Sequence, residues 1–139
     1  MTNEKHPGSR YNHQVILLAI AVGGGTGALL RHLINHVVQA RFGAAFPIGI
    51  FLINVVGCLA IGLVAGLIAS ARVHVGEIGR AFIVVGVLGG FTTFSSFGLD
   101  TFTLARGGQL GAAAFNAIGQ VALGYAAVWA GYALAHVGQ

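Results

Sequence analysis

Charge is scarce in this chain: 7% of its 139 residues are Asp, Glu, Lys or Arg, while 56% are hydrophobic. That balance excludes a globule folded against water and points to a bilayer as solvent. The acids are scarcer still, only Glu4, Glu77 and Asp100. With no carboxylate in the first two apolar runs, proton-coupled export of a cation is disfavoured. A single cysteine, Cys58, rules out an intrachain disulfide and any cysteine metal cluster, and reads as a small packing residue. There is no Ser/His/Asp arrangement, phosphate loop, cofactor motif or strand alternation, so enzyme chemistry is not expected. The net charge of +4 comes from scattered Lys and Arg that form no basic stripe, which argues against a nucleic-acid partner.

What the sequence has instead is four long apolar runs, at residues 15–38, 46–69, 80–104 and 109–136. Each reaches the roughly 20 residues that cross a hydrocarbon core. The expected fold is therefore an all-α integral membrane protein with a polar tail over 1–14 and a four-helix membrane domain over 15–139. Consecutive helices run antiparallel, and no room is left for a soluble catalytic domain. The first run is longer than the apolar core of a secretory leader and reads as a span. Gly43 and Pro47 punctuate the first connection, residues 70–79 form the most polar one, and Arg106-Gly107-Gly108 makes the third. Lys5, Arg10, Arg72 and Arg80 fall on the side of the termini, with Arg31, Arg41 and Arg106 on the other. So even a split is a weak orientation signal and would permit an antiparallel dimer.

Twenty-three glycines imply close helix approach, and Gly23-x-x-x-Gly27, Gly62-x-x-x-Gly66 and Gly86-x-x-x-Gly90 fit the small-residue packing pattern. Against this background the polar residues inside the spans stand out. Asn54 is mid-helix, where its carboxamide either bonds a neighbouring helix or meets a solute. Asn116 and Gln120 share a face at i, i+4, a polar track that could pass a partly dehydrated ion. Arg31 either snorkels to the interface or attracts anions in a vestibule. His32 and His36, near the same end, lack a third partner for metal ligation.

The most unusual stretch is Gly89-Gly90-Phe91-Thr92-Thr93-Phe94-Ser95-Ser96-Phe97, glycines and hydroxyls in the middle of an apolar run. Irregular backbone at that depth is tolerated only where protein or a water-filled cavity satisfies it, so the segment reads as a helix break at a small-ion site. Phe94 and Phe97 are ordinary packing residues or, interleaved with Thr92, Thr93, Ser95 and Ser96, ring edges that contact a small anion.

Together these segments resemble the fluoride channel family (Fluc, also called CrcB). The resemblance rests on Gly24-x-x-Gly27-Ala28-x-x-Arg31, on Pro47-x-Gly49 followed by Asn54-x-x-Gly57, and on the Gly89 to Phe97 segment. It implies four helices with a break in the third, an antiparallel dual-topology homodimer with two pores, and passive, fluoride-selective export that rejects chloride, at the inner or plasma membrane. By position it makes Asn54 a pore-lining donor, Phe94 and Phe97 the fluoride-contacting rings, and Arg31 a vestibule residue, with Thr93, Ser95, Asn116 and Gln120 completing the fluoride pathway. It also implies a structural sodium ion at the dimer centre, held by backbone carbonyls of Gly89 and Thr92. The chain departs from the family pattern at Ile50, where a threonine is usual, and at Asn116 and Gln120, where tyrosine and serine are common. Three other readings stay open: a partner subunit of an unlike pair, a small dual-topology multidrug exporter, and a purely structural subunit.

Overall fold

The computed structural model describes residues 7–137, with side chains from residue 12 onward. Four helical spans cover 12–42, Ile48–Ala69, Glu77–Arg106 and Leu110–Leu134, each long and apolar enough to cross a membrane. No strand occurs among the described residues.

The first helix, α1 (Pro7–Phe42), is longer than its apolar run predicts. At about 1.5 Å per residue it measures ~54 Å, well beyond the hydrocarbon thickness. Hydropathy marks where a helix enters lipid, not where it begins, and Pro7 suits a first helical turn. The part of the predicted tail before Pro7 lies outside the described residues. Gly43, at φ +81°, ends α1 with its N–H on the Gln39 carbonyl. Pro47 then stands just before α2 (Ile48–Ala69) and accepts from the Phe51 N–H.

The third span is assembled from pieces. A first turn, α3 (Glu77–Arg80), runs into a π-helical stretch, Ala81–Leu88, whose register is marked by the Gly89 N–H reaching back to Val84. Ile83, Val84, Val85 and Val87 are β-branched and crowd a normal α turn, so the loosening precedes the glycine pair. A short turn, α4 (Gly89–Phe91), follows; the chain then extends through Thr92 and Thr93 (ψ 158° and 119°) before α5 (Phe94–Arg106). Gly108, at φ +78°, closes α5 in a Schellman turn and hands over to α6 (Leu110–Leu134).

Two parallel pairs organise the bundle. α1 lies along the π-helical stretch and α4, and α2 lies along α6. Glycine sets the first spacing: a methyl on Gly23 would sit 2.6 Å from the Phe82 carbonyl oxygen, and one on Gly27 would strike the Val87 carbonyl. Gly62 and Gly66 meet Val128 and Tyr132 of α6 in the same way. At the start of α2, Phe46, Phe51 and Phe115 form an aromatic cluster, the Phe51 and Phe115 rings parallel with centroids 5.6 Å apart and Phe46 tilted against both. At the opposite end Arg72 donates to the Val137 carbonyl (2.7 Å), tying the 70–76 connection to the end of α6. Most large apolar side chains point outward from the single chain, as lipid or a second subunit as solvent requires.

Candidate functional site

The break in the third span is held by one side chain of α2. Asn54 accepts the Thr93 N–H at Oδ1 (2.9 Å) and donates from Nδ2 to the Thr93 carbonyl (3.1 Å), doing for Thr93 what a neighbouring strand would do. Thr93 in turn caps α5, its hydroxyl oxygen accepting the Ser96 N–H at 3.2 Å. The hydroxyls of Ser95 and Ser96 both bond to that of Thr93. The backbone N–H and carbonyl of Thr93, irregular inside an apolar span, are thereby both satisfied without water.

From Asn54 a chain of amides runs across to α6 and back to α5. Asn54 Nδ2 donates to Gln120 Oε1 (2.7 Å), Gln120 Nε2 to Asn116 Oδ1 (2.9 Å), and Asn116 Nδ2 to the Thr101 hydroxyl (2.8 Å). Thr101 finally donates to the Phe97 carbonyl (2.8 Å). Asn116 is fully buried and Gln120 8% exposed, so in this low-dielectric setting each bond polarises the next.

This network borders a cleft of about 350 Å³, lined by Asn54, Thr92, Thr93, Phe94, Phe97 and Gln120 together with apolar side chains and Cys58. The Phe94 and Phe97 rings stand 5.2 Å apart at 46°, and Phe94 is 81% exposed. Ring edges carry partial positive charge, so an aromatic pair beside the cleft can meet an anion without a fixed charge. The cleft therefore combines donors with apolar walls and offers no fixed charge.

The structure brings Asn54, Thr93, Phe94, Phe97, Thr92 and Gln120 to one place. Asn116 lies one step behind the lining, bonded to Gln120, and Ser95 is exposed on the Thr93 hydroxyl. Arg31 and Ile50 are not part of the lining: Arg31 is half-buried on α1, and Ile50, 8% exposed, packs into the core. Gly89 borders the cleft from the far side of the break. Sequence reasoning passed over Thr101, although its spacing from Phe94 and Phe97 (i+7 and i+4) places all three on one face of α5. The buried carboxylate oxygen Oδ2 of Asp100 and the buried amide oxygens of Asn35 and Gln39 have no hydrogen-bond partner among the described residues.

Four apolar spans, a helix broken at mid-depth and a donor-lined cleft beside the break define a multi-pass membrane protein built around a small-solute site. The family model described as "CrcB-like protein, Camphor Resistance (CrcB)" matches residues 18–132. The chain is 48% identical over 118 residues to a Solibacter usitatus protein named "Fluoride-specific ion channel FluC", covering 85% of this chain and 96% of that one. It is likewise 48% identical over 117 residues to "Fluoride-specific ion channel FluC 2" of Nitrobacter hamburgensis, covering 84% and 94%. A relative from Opitutus terrae is 45% identical over 118 residues, covering 84% and 89%. This chain belongs to the CrcB family.

Proposed function

We propose that the protein is a passive fluoride channel of the inner membrane, carrying fluoride out of the cell and rejecting chloride. The observation that carries this reading is the joining of the Asn54–Gln120–Asn116 amides to the break at Thr93, beside the tilted Phe94–Phe97 pair, in a chain whose relatives are named fluoride-specific channels. A small, strongly hydrated anion gives up its water only where donors replace it, and a path without fixed positive charge binds it weakly enough to release it. The larger chloride is disfavoured by donors held rigidly close together. Arg31 serves as an anion-attracting group in the vestibule, outside the cleft itself.

The working unit is an antiparallel pair of identical chains in the lipid bilayer. The near-even split of Lys and Arg supports insertion in both orientations, and the exposed Phe94 face supports a second subunit there. A structural sodium ion at the centre of the pair fits the backbone at the break. The Thr93 N–H, the α-helical donor for Gly89, is taken by Asn54, and the Ser96 N–H, the corresponding donor for Thr92, is taken by the Thr93 hydroxyl. Both carbonyls are thus released from the helix ladder and suited to a hard cation, which would supply a fixed positive charge between the subunits.

The test is ion efflux from liposomes containing only this purified chain, under a potassium ionophore. Rapid loss of fluoride with retention of chloride is expected, with Phe94→Ile slowing fluoride while the purified dimer persists. Retention of both ions by a folded dimer would refute the reading.

A further inference from the structure

We infer that the junction of α1 with the start of α2 holds an internal water molecule, bound by the amide oxygens of Asn35 and Gln39 and by the first-turn N–H groups of Gly49 and Ile50. The site is separate from the cleft and does not depend on the fluoride-channel reading.

The start of α2 leaves donors unpaired. The Ile48 N–H bonds the Phe46 carbonyl and the Phe51 N–H bonds that of Pro47. Between them, the Gly49 and Ile50 N–H groups have no partner among the described residues, and no side chain caps the helix. Both residues are buried, Ile50 at 8% exposure. Unpaired N–H groups in such a place are rare in native structures.

Helix α1 supplies the matching acceptors. Asn35 Oδ1 and Gln39 Oε1 are buried and have no hydrogen-bond partner among the described residues. At i, i+4 they share one face of α1. That face is set against the first turn of α2, because Asn35 Oδ1 occupies the place a side chain on Gly49 would take. First-turn N–H groups point out of the helix, back along its axis. From its contact with Gly49, the antiparallel α1 continues in that same direction, reaching Gln39 about 6 Å further on. The orphan donors therefore point toward the part of the junction that the orphan acceptors border. Amide oxygens, rather than nitrogens, are the ends that suit the positive pole of a helix.

The chemistry of these groups selects the occupant. A cation would face the N–H groups of Gly49 and Ile50, and an anion would face the oxygens of Asn35 and Gln39. Water donates twice and accepts twice, so one molecule can answer all of them. Bridged in this way, α1 fixes the start of α2 and with it the depth at which Asn54 meets the break. Gly49 is glycine because the Asn35 amide already stands where its side chain would go.

Two measurements on the full chain in detergent micelles test the inference, and neither reads ion flux. The first is magnetisation transfer from water to backbone amides in the 15N-labelled wild type. The Gly49 and Ile50 amides should show cross-relaxation of the sign given by a long-held water, and should lose it in Asn35→Leu. The second is thermal unfolding, where an occupied and an empty site predict opposite signs. With water bound, the near-isosteric Asn35→Leu and Gln39→Met each strand its other partners and lower the midpoint by several degrees. With the site dry, each removes an unpaired buried oxygen and leaves the midpoint unchanged or higher. An unchanged or raised midpoint in both variants overturns the inference. So does a wild-type spectrum without bound-water cross-relaxation at either amide, which decides the matter alone if the variants do not fold.

Discussion

The two halves of the third span are held by opposite kinds of contact. Before Thr92 the π-helical stretch and α4 lie backbone to backbone on α1, where Gly23, Gly27, Gly86 and Gly90 exclude any side chain. After Thr93 the chain changes neighbour, and α5 lies on α6 with Thr101 and Asn116 bonded across the contact. The first contact is set by volume and is indifferent to the direction of hydrogen bonds; the second is set by direction and has room for side chains. One helix could not serve both neighbours unbroken, and Asn54 is the clamp at the point of change. Substitutions that add atoms and substitutions that reverse donors should therefore do damage in different halves.

The largest effect is expected from volume. Gly27→Leu would drive a branched side chain into the Val87 carbonyl and the Gly90 backbone, neither of which can swing away. Overpacking of a tight contact costs about 1–3 kcal/mol, and rigid backbone neighbours put this site at or beyond the upper end. Size-exclusion chromatography in mild detergent should show loss of the monodisperse species. A normal profile would mean that α1 and the third span can separate, and the comparison would collapse.

Next comes polarity at the clamp. Asn54→Asp keeps an acceptor for the Thr93 N–H but removes both donor bonds, whereas Asn54→Ala removes all three. With each bond worth about 1 kcal/mol and more where a buried group is left unpaired, fluoride flux should fall roughly a hundredfold in both. Only the alanine variant should also lose protection of the Thr93 amide. Equal loss of protection in both would show that the donors, not the acceptor, hold the break.

A smaller effect is expected at the far end of the amide chain. Thr101→Val removes the hydroxyl that accepts from Asn116, freeing that amide to turn and loosening Gln120 in the cleft lining. One neutral bond is worth about 1 kcal/mol, so a roughly fivefold loss of flux is expected. Thr101→Ser should restore most of it. Failure of serine to rescue would assign the loss to packing of the methyl group.

Much of this was legible in the sequence, for identifiable reasons. Four spans follow from hydropathy, and the glycine pairs announce close approach because nothing else explains so many in lipid. The break was legible in the hydroxyl cluster, since a membrane penalises it unless something answers it. Its manner was not: nothing in Asn54 says that it would bond both the N–H and the C=O of Thr93, because that depends on how α2 and the third span are set in depth. The π-helical stretch was equally hidden, since β-branched residues are common in ordinary membrane helices. Asn116 and Gln120 were visible as a pair, but the direction of their bond is decided by Thr93 and Phe97, remote in sequence. Arg31 was legible as a charge, and the fold keeps it away from the cleft of the same chain.

The smallest effect is expected at Ile50. A threonine there would face the core one turn before Asn54, at a site 8% exposed and outside the cleft lining. Position 50 is in the first turn of α2 and outside the cleft lining, so a hydroxyl there adds no donor to the cleft of this chain. Loss of packing should cost about 1 kcal/mol of stability. Ile50→Thr should therefore leave fluoride flux within about twofold of wild type, a change of under ~0.5 kcal/mol in the barrier. The same substitution placed in a Gln120→Met background sharpens the point: it should not rescue, because a hydroxyl outside the cleft lining cannot replace the amide of α6 that borders it. Recovery of flux in that double variant would mean that the pathway runs past Ile50 in the assembled protein, with α2 rather than α6 carrying the donors.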